Sequence, residues 1–400
     1  MIFIGIDVAK HKHDCCILSS EGSVLVTFSF HNSKSGYEKL IVEASRFSQS
    51  KELSDVKIGL ESTGHYSLNL TNYLNQKRLS VKVFNPLLVN LKRKAESLRK
   101  TKTDKTDCKF LAQLLFSEDT EPYLQPLLPV SELKILTRNR HRLVEMRSKL
   151  KLSICRLIDI LFPELPQLVY SINQKSTYAL LLEYPTAKVI SSAHLTKLSN
   201  LLSDNSHGRY KREKALQIRL AATDSIGFDS RATGFELQQT IRLIQNLESE
   251  IALLDCEIKL IMDELNSPIL SVPGISYTLG AIIISEIGNI ENFKTSAKLL
   301  KFAGLEPSVY ESGKYKAPIT PMVKRGSPYL RWAILQAARL VAYRDDTFRA
   351  YQQKKLSEGK HFFTVQGHVA KKLIRVLHRI LTTNTAFHAA TSTQSGLRTA

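Results

Sequence analysis

Residues 2–8, IFIGIDV, form an apolar, β-branched run that a polar stretch closes. HDCCILS and SVLVTFSF follow, with Glu21-Gly22 as a turn between them, so three consecutive strands are predicted. Beyond them come a helical stretch from about Gly36 to Phe47, a strand VKIGLE, a helix after Gly64, a strand SVKVF and a helix from about Leu87. The order βββαβαβα is that of an RNase H-like (RuvC-like) domain, a sheet covered by helices.

From about Pro129 the strand-like runs stop and long helical patterns begin, which sets a boundary near residue 125. Leu237, Ile241, Ile244, Leu247, Ile251, Leu254, Ile258, Ile261 and Leu265 recur in eight steps over 28 residues, an average of 3.5 and therefore the coiled-coil period. Whether this helix pairs within the chain or with a second protomer stays open at this point. The segment 165–233 is mixed and contains SDNSHGRYKRE, read as a loop.

Ser271-Val272-Pro273-Gly274-Ile275 reads as a tight turn opening a helix, as in helix-hairpin-helix elements, with Ser276 where a second glycine is usual. Amphipathic helices are expected from Ala281 onward and in YLRWAILQAARLVAY and VAKKLIRVLHRIL, separated by a polar segment from Glu306 to Arg325. The fold class is thus α/β plus all-α. A catalytic domain spans 1–125, a central helical coiled coil for dimerisation and nucleic-acid binding 126–268, a mostly helical C-terminal domain 269–382, and a disordered polar tail 383–400.

Charge narrows the function. Lys and Arg number 56 against 37 Asp and Glu, a net +19 over 400 residues, and so large an excess repels itself unless a polyanion is the normal partner. Ser131 to Asp159 forms a basic helix on which Arg138 and Arg142 are candidate phosphate contacts. No apolar run approaches the ~20 residues that span a bilayer. The N-terminus also carries charges where a signal peptide has its apolar core, so a cytoplasmic protein without membrane contact is expected. Five cysteines without a CxxC pair indicate neither a disulfide framework nor a zinc site, and mostly buried thiols are expected.

Candidate chemistry lies in the acids. Asp7 and Glu61 each end an apolar strand, and Asp104 and Asp107, three apart at a helix start in KTDKTDCKFLAQLL, share one helix face. Four gathered carboxylates repel, so the set makes sense around cations, and two Mg²⁺ ions are the expected cofactors for phosphodiester chemistry. Singly, each acid has a plainer reading: Asp104 is a helix N-cap and Glu61 a loop acid. Lys92, Arg93, Arg99 and Lys102 crowd around the same helix start as candidate nucleic-acid contacts. His11 and His13 are expected to face solvent.

IGIDVAK, GLESTGHYS and NPLLVNLKRKAESLRKTKTDKTDCKFLAQLL, followed by SVPGISYTLGAIIISEIG, KLLKFAGLEPSVYESG and KRGSPYLRWAILQAA, resemble the DEDD transposases of the insertion-sequence 110 family, which includes the pilin-gene invertases and the bridge-RNA-guided recombinases. The resemblance implies that Asp7, Glu61, Asp104 and Asp107 are the DEDD tetrad, and that Ser312 in Tyr310-Glu311-Ser312-Gly313 is a serine nucleophile. It further implies an active site assembled from both domains, a non-coding guide RNA as a partner beside DNA, and a homodimer or homotetramer. Lys314, Lys324, Arg325 and Arg331 flank the serine as candidate phosphate contacts. The competing readings are a RuvC-type Holliday-junction endonuclease with water as nucleophile, an actin-like ATPase and a non-catalytic DNA-binding regulator.

Overall fold

The structure is a computed structural model and describes residues 1–61, 65–84, 89–90, 104–117, 126–308, 311–312, 315–316 and 321–388. The chain divides into two compact units, Met1–Gln125 and Pro126–Ala400.

In the first unit, β1 (Ile2–Asp7), β2 (Lys12–Leu18), β3 (Val24–His31), β4 (Val56–Glu61) and β5 (Ser80–Phe84) form one sheet of order β3-β2-β1-β4-β5. The first three strands run antiparallel to their neighbours, and β1, β4 and β5 run parallel. Strand residues alternate between two faces. On one, Ile4, Ile6, Ile58 and Leu60 pack beneath α1 (Lys34–Phe47) and α2 (Ser67–Gln76). On the other, Phe3, Cys16, Leu18 and Phe84 pack beneath α3 (Asp104–Ser117), through Cys108, Leu111 and Leu115. The expected strand and helix order is present as far as the described residues run. A helix start near Leu87 falls where only residues 89–90 are described.

In the second unit, α4 (Leu128–Leu161) and α10 (Arg231–Leu265) pack side by side within the chain. Arg140 meets Asp255 at 2.6 Å, Lys151 meets Glu248 at 3.5 Å and Arg156 meets Glu236 at 2.8 Å, so the two helices run antiparallel. Of the periodic stripe on α10, Leu237, Ile241, Ile244, Ile251, Ile258 and Ile261 are buried, while Leu247, Leu254 and Leu265 are half-buried.

Between these long helices lie α5 (Leu165–Leu168), α6 (Lys175–Glu183), α7 (Ala187–Ser192), α8 (Leu195–Asn205) and α9 (Arg212–Thr223). The segment 165–233 is therefore mostly helical, and its core of Leu165, Tyr178, Leu181, Ile190, Leu198 and Ile218 caps one end of the long pair. The expected loop shrinks to residues 206–211, turned by His207 (φ 53°) and Gly208 (φ 74°).

The remaining chain packs at the other end: α11 (Tyr277–Ile287), α12 (Ser296–Phe302), α13 (Pro328–Arg344), α14 (Asp346–Ser357) and α15 (Phe362–Thr383). Ser276 takes the usual glycine's place because it caps α11, its hydroxyl accepting from Leu279 N at 3.4 Å. The expectation of an amphipathic α11 is corrected, since every residue from Leu279 to Ile287 is buried. Cys15, Cys16 and Cys108 are buried, whereas Cys155 and Cys256 are exposed on the long helices. No described helix is long and apolar enough to cross a membrane. Of the polar tail, residues 383–388 are described, and Phe387 N donates to Ser271 Oγ at 2.7 Å.

Candidate active site

The placement of the acids starts from two glycines. Gly5 and Gly59 are register partners on the adjacent parallel strands β1 and β4. A Cβ on Gly5 would lie 2.0 Å from the Cys108 carbonyl oxygen and 2.3 Å from Ala112 N; on Gly59 it would lie 3.1 Å from the Leu111 carbonyl oxygen. The backbone of α3 therefore rests directly on a saddle that no side chain larger than hydrogen permits. Phe3 packs on Phe116 at 4.1 Å while Gly5 lies under Cys108 and Ala112, so α3 runs antiparallel to β1 and its N-terminal end lies toward Asp7.

Alternation does the rest. Asp7 is two residues beyond Gly5 and Glu61 two beyond Gly59, so both acids belong to the α3 face, at the ends of neighbouring strands one step past the Ile6–Leu60 pair. Asp107, buried at 6% exposure, precedes Cys108 on α3. Asp104 is the first residue of that helix, and its side chain lies outside the described residues. Asp7, Glu61 and Asp107 thus come to one edge of one face. Among the described residues, no group of three His, Cys, Asp or Glu is close enough to hold a metal ion. Lys92, Arg93, Arg99 and Lys102 also lie outside the described residues.

A further acid, near Asp7 in the sequence together with His11 and His13, stands at this edge. Asp14 on β2 is the cross-strand partner of Asp7, and it shares the α3 face with Cys16 two residues on. Its carboxylate accepts from Ser29 Oγ at 2.7 Å and meets Lys12 at 3.7 Å. What the structure adds to their closeness in sequence is the β1–β2 register, which sets the two acids directly opposite one another. The expectation for His13 is corrected: it is fully buried on β2, its Nδ1 accepting from Ala9 N at 3.3 Å, and burial pushes its pKa below the ordinary histidine value.

Ser312 belongs to the second unit. In the polar segment from Glu306 to Arg325 the described residues form the base and tip of an antiparallel ribbon. At the base, Val323 N donates to Glu306 O at 2.9 Å, Ser308 N to Pro321 O at 2.8 Å and Lys324 N to Gly304 O at 3.1 Å. At the tip, β6 (Glu311–Ser312) pairs with β7 (Tyr315–Lys316), Ser312 opposite Tyr315. Nearby Lys314 lies outside the described residues. Gly326 (φ +121°) seats the base, because a Cβ there would lie 2.0 Å from the Phe302 carbonyl oxygen. Lys324, in the left-handed region, accepts at its carbonyl from Arg331 Nη1 at 3.1 Å, and Arg325 is exposed.

An ion pair between a buried carboxylate and a half-exposed arginine ties this base to the long helix α4. Glu286, 3% exposed on the apolar α11, accepts two hydrogen bonds from Arg138, at 2.7 and 3.0 Å, and one from Ser327 Oγ at 2.7 Å. Burial pushes the Glu286 pKa up, but Arg138, Lys134 and Ser327 outweigh it and hold the carboxyl below its ordinary range. Arg138 also stacks over Tyr329 at 4.9 Å. Its charge is thus engaged inside the protein, while Arg142 is exposed and bonded to Asn139 of its own helix at 3.2 Å.

Comparison with known proteins matches both units. A family model described as a transposase of the DEDD, IS110 type covers residues 4–163, and one described as transposase of the IS116/IS110/IS902 family covers residues 266–353. The chain is 25% identical over 397 residues to the 44.8 kDa protein of insertion element IS116 from Streptomyces clavuligerus, spanning 95% of this chain and 94% of that one. It is 22% identical over 392 residues to the pilin gene-inverting protein of Moraxella bovis, spanning 96% and 97%. It is 28% identical over 132 residues to the transposase for insertion sequence element IS1328 of Yersinia enterocolitica, spanning 31% and 38%. These matches define a DNA transposase. The chain belongs to the IS110 family of these enzymes.

Proposed function

We propose that this transposase cuts and rejoins mobile-element DNA with a carboxylate site in the first unit and Ser312 as nucleophile in the second. The observation that carries the reading is the placement of Asp7, Glu61 and the buried Asp107 on one face at one sheet edge, over the Gly5–Gly59 saddle. The strand order, three antiparallel strands followed by two parallel ones, supports an RNase H-like domain over 1–125.

Oxygen donors of this kind suit hard divalent cations, and Asp7, Glu61, Asp104 and Asp107 would hold two Mg²⁺ ions. Bound there, the ions would supply Lewis-acid stabilisation of charge on phosphodiester oxygens. Ser312 Oγ would form a bond to phosphorus as the bond to a deoxyribose oxygen breaks, the serine proton being lost and the departing oxygen gaining one. The phosphoserine ester retains the bond energy for rejoining. The family resemblance supports an active site completed from both domains.

Residues 126–268 are proposed as the coiled-coil region, and dimer or tetramer assembly rests on the family resemblance, since the α10 stripe is met by α4 of the same chain. Residues 269–382 form the transposase domain that bears the serine, and 383–400 a tail. Arg142, Lys324, Arg325 and Arg331 are proposed contacts to DNA or to a non-coding guide RNA. Lys92, Arg93, Arg99, Lys102 and Lys314 join them on sequence grounds, and Arg138 acts through its clamp on Glu286.

Strand exchange between donor and target plasmids tests the proposal. Asp104→Ala and Ser312→Ala each abolish it, and wild-type protein leaves a covalent protein–DNA adduct on denaturing gels that Ser312→Ala does not. Mg²⁺-dependent cleavage with no adduct would instead establish a Holliday-junction endonuclease that uses water.

A further inference from the structure

A cleft of about 510 Å³ lies between the base of the serine ribbon and the start of α15. Leu305, Pro307 and Met322 contribute an apolar wall from the ribbon side; Phe363, His368 and Lys371 contribute the α15 side. The volume falls within the range that receives a small organic ligand.

The cleft carries groups suited to a ligand. Phe363 is 76% exposed at its rim, beside Phe362 at 5.7 Å between ring centroids. Lys371 makes no ion pair among the described residues, whereas nearby Lys355 and Lys360 both engage Glu358, at 2.7 and 3.0 Å. Burial, with Lys355, Lys360 and Lys371, pushes the His368 pKa below the ordinary histidine value, so near neutral pH the ring is uncharged and offers one donor and one acceptor.

Gly367 sits inside α15, where glycine costs about 0.5–1 kcal/mol relative to alanine. A Cβ there would meet nothing nearer than Met322 Cε at 4.0 Å. Packing does not demand this glycine; its effect is to leave the cleft open.

An aromatic face, a neutral hydrogen-bonding ring and a cation with no ion pair among the described residues, set around an apolar recess, are the parts that hold a nucleotide out of its stack. We propose that this cleft takes one unstacked nucleotide of a single DNA strand, its base against Phe363 and its phosphate at Lys371. The choice of DNA rests on the reading of Ser312 as nucleophile, because the wall opposite α15 is the base of the ribbon that bears Ser312. The cleft would hold a nucleotide of the strand being cut.

The test uses full-length protein and a single-stranded DNA oligonucleotide carrying 5-iododeoxyuridine, cross-linked by long-wave light and mapped by peptide mass. The label is expected on the peptide containing Phe363 and His368. Phe363→Ala and Gly367→Leu are each expected to weaken binding of the oligonucleotide roughly tenfold. Lys371→Gln reduces the salt dependence of binding by about one phosphate contact.

Both Phe363 and Gly367 lie where substitution leaves the core alone, and unchanged thermal unfolding checks this. Unaltered affinity in both variants, or labels mapping elsewhere, overturns the proposal. Cross-linking of an RNA oligonucleotide of the same sequence in place of DNA overturns it as well. Binding needs no reaction at Ser312. Unaltered affinity or a label elsewhere, with an intact Ser312 adduct, therefore refutes the cleft alone, and absence of the adduct in wild-type protein refutes the nucleophile.

Discussion

The two regions proposed to share the chemistry are built in opposite ways. The acids of the first unit stand on a sheet and on a helix pressed to it with backbone contact at Gly5, so their spacing is set by the stiffest parts of that unit. Ser312 stands at the tip of a ribbon that is anchored at its base by Gly304, Gly326 and the Glu286 clamp. The first arrangement suits groups that must stay fixed relative to one another. The second suits a group that must be delivered to them, and it moves the burden of precision to the ribbon's base.

If that contrast holds, damage to the saddle harms more than damage to the ribbon base. Gly5→Val drives a side chain into α3, and a loss of about 3 kcal/mol or more is expected in chemical denaturation of the first unit, with strand exchange abolished. Retained exchange at wild-type rate would show that α3 does not need its seat.

Gly326→Val acts on the ribbon. Helical content is expected to stay near wild type by circular dichroism, while adduct formation falls at least roughly tenfold, the scale on which a displaced reactive group loses rate. Equal losses of stability and activity would remove the distinction between the two regions.

Glu286→Gln breaks the clamp beneath the ribbon. Because Arg138 is 44% exposed, the cost is discounted from the fully buried case to about 2 kcal/mol. The folded pKa of Glu286 lies below its ordinary value of 4.5, so its stabilising contribution is complete above pH 4.5 and is lost as pH falls through the folded value. Acid titration of unfolding should show that loss in wild-type protein and a flatter profile in the variant.

The smallest effect is expected from Asp14→Asn, which keeps the Ser29 hydrogen bond and removes one charge beside Asp7. A few-fold change in strand exchange and in its Mg²⁺ dependence is expected, with little change in stability. A loss as complete as that of Asp104→Ala would make Asp14 a fifth member of the acid set.

Much of this was legible along the chain. Strand alternation marks Ile4, Ile6, Ile58 and Leu60 as one buried face, and the same alternation carries Asp7 and Glu61 to the other. The spacing of Asp104 and Asp107 needs nothing beyond one helical turn. Local geometry repeats every two or 3.6 residues, so any property that depends on a single element is written in that element.

What depends on two elements was not. The stripe on α10 is consistent with a partner in this chain or in another; the choice of α4 comes from contacts such as Arg140–Asp255, 115 residues apart, each weak alone. The helices from Leu165 to Thr223 are short and their patterns ambiguous until a shared core forms. Glu286 looks like an error in an apolar helix until Arg138 and Ser327 close on it. Asp14 became the cross-strand partner of Asp7 through strand register, and residues 304–308 and 321–324 became the base of a ribbon through pairing with one another. The sequence by itself determined which faces are apolar and which acids stand at element ends. Tertiary structure alone decided which faces meet, because that choice is a sum over distant, individually small interactions.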